Sequence, residues 1–91
     1  MRITWDEPKR IANLAKHGLD FSDYETCFDV ETALELPARA SVTGRRRKTL
    51  VGWWSGRIVV AAIVSQLGRE AIAIVSLRPA SQKERDLYDA H

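Results

Sequence analysis

Sulfur and imidazole are scarce in this chain, which has a single cysteine, Cys27, and two histidines, His17 and His91, among 91 residues. One thiol excludes an internal disulfide, so the fold rests on packing, and the composition suits a reducing, cytoplasmic compartment. The three potential soft ligands lie on separate predicted elements with no zinc spacing, so neither a metal nor a cofactor is expected. A phosphate-cradling glycine loop is missing too, because Gly52 and Gly56 are not followed by the Lys-Ser/Thr pair it requires. Long hydrophobic runs are absent. The longest, Ile58 to Val64, is far too short to span a membrane. The opening Met1-Arg2-Ile3-Thr4-Trp5-Asp6-Glu7 has no apolar stretch behind its first positive charge and does not read as a signal peptide.

What is present fits one small domain, residues 1–91, with a limited core. The net charge of +2 hides an asymmetry. Residues 1–38 hold four Lys/Arg against eight Asp/Glu, whereas residues 39–91 hold ten against four. The later part carries the positive potential, which attracts polyanions such as RNA or an acidic protein, although a basic solvated surface has the same composition.

Periodicity predicts a short first strand at Arg2–Trp5 and then a helix. Ile11, Leu14, Ala15 and Gly18 recur on one helical face, and this face is expected to pack on the sheet. Asp6, or Thr4 with Glu7, can cap its start, Pro8 suits the first turn, and Gly18 can end it. Ser22 and Glu25 form an S-x-x-E pattern that predicts a second short helix with Tyr24, Cys27 and Phe28 inward. Residues 32–36 alternate as a strand closed by Pro37, and residues 37–46 read as a loop. Three strands follow at 47–54, 58–65 and 70–77, separated by Ser55-Gly56 and Gly68, and Pro79 stops the last. Ser81 and Glu84 open a C-terminal helix carrying Leu87 and Tyr88. Helices segregated from a run of strands indicate an α+β fold, with two N-terminal helices and a C-terminal helix on a small antiparallel meander.

Candidate chemistry is cationic. Arg45-Arg46-Arg47-Lys48 can hold a phosphate backbone, or can guard a strand edge; Arg47 and Lys48 should point to opposite faces. Lys16-His17 ends the first helix, where cations favour the dipole and where His17 can also move protons. Arg78 stands at a strand end. Tyr88 lies one helical turn beyond Glu84 and can pack its ring or offer its hydroxyl. Trp5, Trp53 and Trp54 can stack bases or fill a core, and adjacent Trp53 and Trp54 cannot both be buried.

Taken together, Trp5-Asp6-Glu7, Lys9, Asn13, Lys16-His17-Gly18, Phe21, Arg47 with Gly52, Ile74-Val75-Ser76-x-Arg78-x-Ala80 and Glu84-Arg85-x-x-Tyr88 resemble the BrnT toxin family over nearly the whole chain. The resemblance implies a RelE-like fold and an RNA-cleaving toxin that halts translation. It also implies a BrnA-type antitoxin with a ribbon-helix-helix DNA-binding domain, through which alone the pair would meet operator DNA. The family's polar positions fall on Lys16, His17, Arg47, Arg78 and Tyr88. Members often carry Glu just before the arginine aligned with Arg47, where this chain has Arg46, and a lysine where this chain has Pro79. That departure removes one carboxylate general base. The chemistry expected is metal-independent attack of a ribose 2′-hydroxyl on the adjacent phosphate. His17 would transfer the proton beside Lys16, Arg47 and Arg78 would stabilise charge, and Tyr88 would orient the phosphate or supply a proton. Arg45, Arg46, Lys48, Lys83 and Arg85 would bind RNA or an acidic segment of the antitoxin. The competing readings are a non-catalytic basic binding module and a toxin scaffold that has lost activity.

Overall fold

The computed structural model describes residues 2–36 and 47–91. The expected loop at 37–46, with Arg45 and Arg46, lies outside the described residues. The chain runs β1 (Arg2–Trp5), α1 (Glu7–His17), a 3-10 turn (Phe21–Asp23), α2 (Tyr24–Cys27), β2 (Leu34–Leu36), β3 (Arg47–Trp54), β4 (Ile58–Leu67), β5 (Ala71–Pro79) and α3 (Gln82–Ala90). The expected meander forms from β3, β4 and β5, although β4 runs two residues past its predicted end and β5 starts one residue later and ends two later than predicted. At its first corner Ser55 and Gly56 both take positive φ, 54° and 66°, and Arg57 N–H donates to the Trp54 carbonyl. This is the type I′ geometry that matches strand twist. The α+β class holds, but the sheet is not purely antiparallel. Its five strands run in the order β1-β5-β4-β3-β2, and β1 lies parallel to β5. Four residues carry no signal of direction. β1 reaches its place because strands 66 or more residues apart share that edge, which periodicity along the chain does not reveal.

The register separates two faces. One carries Leu50 and Trp54 of β3, Val60, Ala62 and Val64 of β4, and Ile72, Ile74 and Leu77 of β5. Leu19, Phe21, Tyr24 and Phe28 close over it and make the hydrophobic core, with Tyr24 and Phe28 stacked at 5.2 Å. Gly52 belongs here: a Cβ would meet the Asp29 carbonyl, Ala33 and Phe28 at 3.1–3.2 Å, so glycine lets the 28–33 segment cross β3 closely. The opposite face carries Arg47, Thr49, Val51 and Trp53, then Val59, Ala61, Ile63 and Ser65, then Ser76 and Arg78. As expected of neighbours on a strand, Trp53 is 39% exposed while Trp54 packs on the core.

α1 docks with the face the sequence marks as polar. Ile11 is 57% exposed and Leu14 39%, so neither is buried as the predicted apolar face requires. The inward residues are Arg10, Asn13 and His17, one helical face of spacing three and four. β1 stops at Trp5 opposite Ile74, which leaves the rest of β5 without a strand neighbour on that side. Asn13 fills the gap. Its Oδ1 accepts from Leu77 N–H at 3.1 Å and from Ser76 Oγ at 3.4 Å, and its Nδ2 donates to the Leu19 carbonyl at 3.0 Å. Arg10 forks onto Glu7 at 2.6 and 2.8 Å and reaches Asp20 at 3.1 Å, while Trp5 Nε1–H donates to Glu7 at 2.8 Å. A helix held by specific polar bonds at a sheet edge has no need of an inward apolar stripe, and this overrides its periodicity.

The helix ends are mostly as read. Asp6 is the N-cap of α1 without a side-chain bond, Pro8 sits in the first turn, and Gly18 closes it at φ 70°. The Ser22–Glu25 box does not form. Asp20 instead accepts from Ser22 N–H and hydroxyl, making a 3-10 turn before the single turn of α2, so the second N-terminal helix is only four residues long. At α3 the box is complete: Ser81 Oγ accepts from Glu84 N–H, and Glu84 Oε1 accepts from Ser81 N–H. The same glutamate ties α3 to β5 through Arg78 at 2.7 and 2.8 Å. α3 then crosses the face opposite the core toward β3.

Two consequences are measurable. Asn13→Ala strands the Leu77 N–H and Leu19 carbonyl, so it should cost about 2–3 kcal/mol, read as a lower denaturant midpoint at unchanged slope. The Arg78 guanidinium and the Ser81 cap hold the Glu84 carboxyl down at about 2, against an ordinary 4.5. A depressed carboxylate stabilises the fold above its unfolded pKa, and that contribution disappears as pH falls through the folded value. Stability should therefore drop by about 1–2 kcal/mol between pH 4.5 and 2 on account of this pair, after allowance for its partial exposure. Glu84→Gln should flatten that part of the curve.

Candidate active site

Arg78 is the most constrained of the expected site residues. Its position on the open face at the end of β5 follows from register, opposite Ala61. Glu84 takes the end of the guanidinium, receiving Nη1–H on Oε1 and Nη2–H on Oε2, and Nη1 also donates to the Pro79 carbonyl. Five N–H donors exist on an arginine. Among the described residues none takes the side edge, Nε–H with the outer Nη2–H, which the planar group turns away from the carboxylate. Arg78 is 35% exposed at its side chain and Glu84 13%. The pair thus fixes the plane of a partly open guanidinium while raising its already high proton affinity, mainly through the hydrogen bonds it donates to Glu84.

α1 ends at the same end of the sheet. Gly18 and Leu19 line a shallow depression with Trp54, Ser55, Arg57 and Ile58 of the β3–β4 hairpin. Arg57 and Ile58 also line a second one with Trp53, Val59, Pro79, Ala80 and Arg85. Lys16, exposed, and His17, half-buried, stand immediately before Gly18. The partners of Arg78 are Glu84 and Pro79, not His17.

Arg47 is on the same face as Arg78 but at the other end of the meander, opposite Ser65. The strand rise and spacing put their Cα atoms roughly 16 Å apart. One phosphate would be shared only by two side chains extended toward each other. Tyr88 is half-buried on α3, its ring 4.7 Å from that of His91. Lys48 points to the face opposite Arg47, as expected, and pairs with Glu35 at 3.4 Å. Lys83 and Arg85 are exposed on α3. Arg45 and Arg46 lie outside the described residues. The structure therefore gathers Lys16, His17, Arg78, Lys83 and Arg85 toward one end of the sheet and leaves Arg47 and Lys48 apart.

Two features escaped the sequence reading. The Arg78–Glu84 fork had a signal, since a capping-box glutamate folds back toward the residues just before its helix. Arg57 had none beyond its place after the Ser55-Gly56 turn.

Comparison with known proteins agrees in length and fold. The family model described as "Ribonuclease toxin, BrnT, of type II toxin-antitoxin system" matches residues 5–84. The crystal structure of the Brucella abortus ribonuclease toxin BrnT is 42% identical, with a TM-score of 0.73, covering 90% of this chain and 99% of that one. A comparison with curated proteins gives no match. The match spans the elements that place Asn13, Arg47, Arg78 and Glu84, and on that ground the chain belongs to the BrnT family of ribonuclease toxins of type II toxin–antitoxin systems.

Proposed function

We propose that this toxin cleaves RNA without a metal, using the ribose 2′-hydroxyl as nucleophile. The bond from the 2′-oxygen to phosphorus forms as the bond to the 5′-oxygen breaks, giving a 2′,3′-cyclic phosphate and a 5′-hydroxyl. A base removes the 2′-proton and an acid supplies one to the 5′-oxygen. Charge grows on the non-bridging oxygens, and donors already in place stabilise that charge more than they stabilise the substrate.

The observation that carries this reading is the side edge of Arg78, which no described residue occupies, beside the edge taken by Glu84. A guanidinium so held presents two parallel donors to a phosphate with little left to order. Glu84 is a positioning residue in this scheme. A carboxylate held at about 2 has too little proton affinity to serve as a base at neutral pH. Proton transfer falls to His17, supported by the charge of Lys16. Arg47 binds farther along the RNA, and Tyr88 orients the phosphate from α3. The fold reading is RelE-like, with cytoplasmic action on translation. The proposed antitoxin is BrnA-type, with a ribbon-helix-helix domain that carries the pair to operator DNA, and its acidic segment meets Arg45, Arg46 and Lys48.

The test is cleavage of a defined RNA across pH, with and without chelator, by purified and folded variants. Arg78→Ala should lower turnover about 10²- to 10³-fold, the cost of losing one preorganised donor. Arg78→Lys should also lower it, since an ammonium lacks the fork. Arg47→Ala should act mainly through KM, and His17→Ala should lower turnover about 10²- to 10⁴-fold, the scale of general acid–base help. Near-wild-type rates for Arg78→Ala and His17→Ala would discard the assignment, and tight RNA binding without cleavage by the wild type would make the domain a binding module.

A further inference from the structure

A concave site sits beside Arg78 on residues that the proton-transfer and phosphate roles do not use. It encloses about 270 Å³ between the β3–β4 hairpin and the first turns of α3. Trp53, Ile58, Val59, Pro79 and Ala80 make its apolar floor, and Arg57 and Arg85 complete the lining. The floor is rigid, because Ala80 N–H donates to the Val59 carbonyl at 2.9 Å and extends the β4–β5 pairing past the strand end. The type I′ turn fixes Arg57 next to Ile58, and the capped helix fixes Arg85, whose N–H donates to the Ser81 carbonyl.

Trp53 is 39% exposed and Ile58 43%, and both line this depression. A small domain that exposes a tryptophan and an isoleucine together keeps an apolar surface that its core could have used. Neither Arg57 nor Arg85 is ion-paired with another described residue. An apolar floor cannot solvate a phosphate, but an aromatic face flanked by guanidiniums suits a nucleobase with its phosphates on either side. Pro79 is both part of this floor and the residue after Arg78, so a base placed here belongs to a nucleotide next to the phosphate on Arg78.

We infer that this groove is a nucleobase subsite for single-stranded RNA, in which Trp53 stacks the base adjoining the scissile phosphate and Arg57 and Arg85 hold the flanking phosphates. The inference rests on the ribonuclease reading and refines it. Stacking is tolerant of base identity, so the subsite fixes the register of the strand more than its sequence. A base anchored beside the reacting phosphate also holds the 2′-hydroxyl near its line of attack.

The experiment pairs protein variants with abasic substitutions in a short single-stranded RNA, placed one at a time on each side of the scissile bond. Trp53→Ala should lower kcat/KM about 5- to 150-fold, the span of base–aromatic stacking, with Trp53→Phe retaining most of the activity. One abasic position should cost the wild type a similar factor and cost Trp53→Ala nothing further. Arg57→Gln with Arg85→Gln should raise KM and reduce its salt dependence. Unchanged melting temperatures check that the half-exposed side chain was removed without damage. Independent, multiplicative losses from Trp53→Ala and every abasic substitution would overturn the subsite. If the wild type cleaves no RNA, the ribonuclease reading fails. Binding of a short oligonucleotide then decides the groove: weaker binding by Trp53→Ala supports it, and equal binding overturns it. A loss of antitoxin affinity in Trp53→Ala, with cleavage and oligonucleotide binding intact, would assign the groove to the protein partner and overturn the proposal.

Discussion

One amide, that of Asn13, ties α1 at once to β5 and to the segment that leads from the helix into the core. Its oxygen takes the N–H of Leu77, which β1 is too short to satisfy, and its nitrogen holds the carbonyl of Leu19, where the chain turns from α1 into the core. A buried backbone N–H without a partner costs about as much as several favourable contacts supply. The depth at which α1 sits along β5 is therefore set by a hydrogen bond with a narrow geometry, not by an apolar seam that could slide. Leu19, Phe21 and Tyr24 enter the core from that fixed point. Lys16 and His17 are carried to the sheet end by the same constraint, one helical turn beyond Asn13.

This explains which elements were legible in the sequence. Strands β3, β4 and β5 announce themselves because each is a run of apolar residues bounded by turn chemistry, and Ser55-Gly56 admits one kind of hairpin. The α3 cap was legible because both of its bonds are local. The orientation of α1 was not. Ile11 and Leu14 imitate an inward face, and only the unsatisfied Leu77 N–H, sixty-four residues away, says otherwise. The parallel pairing of β1 failed for the same reason. Ser22 was misread because a competitor two residues earlier, Asp20, offers a charged acceptor that a hydroxyl cannot match.

The site divides along a similar line. Residue types and chain order were readable, so Lys16, His17, Arg47, Arg78 and Tyr88 could be named from a resemblance. Distance was not. Arg47 and Arg78 share a face because their strand partners, Ser65 and Ala61, have the same parity on β4, and they are apart because those partners are four residues distant. Parity follows from alternation once the strands are known, whereas separation depends on a register fixed by turns and by the irregularity at Ile63/Val64.

Electrostatics adds a further constraint on the chemistry. The residue before Arg47 is Arg46, not a carboxylate, and the carboxylate beside Arg78 is committed to a fork and a helix cap. A group that accepts three hydrogen bonds while facing a guanidinium is stabilised as an anion, and each bond that fixes its place also weakens it as a base. The Arg78 fork and the Ser81 cap make Glu84 a weak base, which suits it to orienting Arg78. In the proposed mechanism the two jobs fall to different residues, position to Glu84 and proton transfer to His17. His17 is the histidine at the end of α1 nearest that edge of the sheet, and the ordering of α1 by Asn13 is what brings it there.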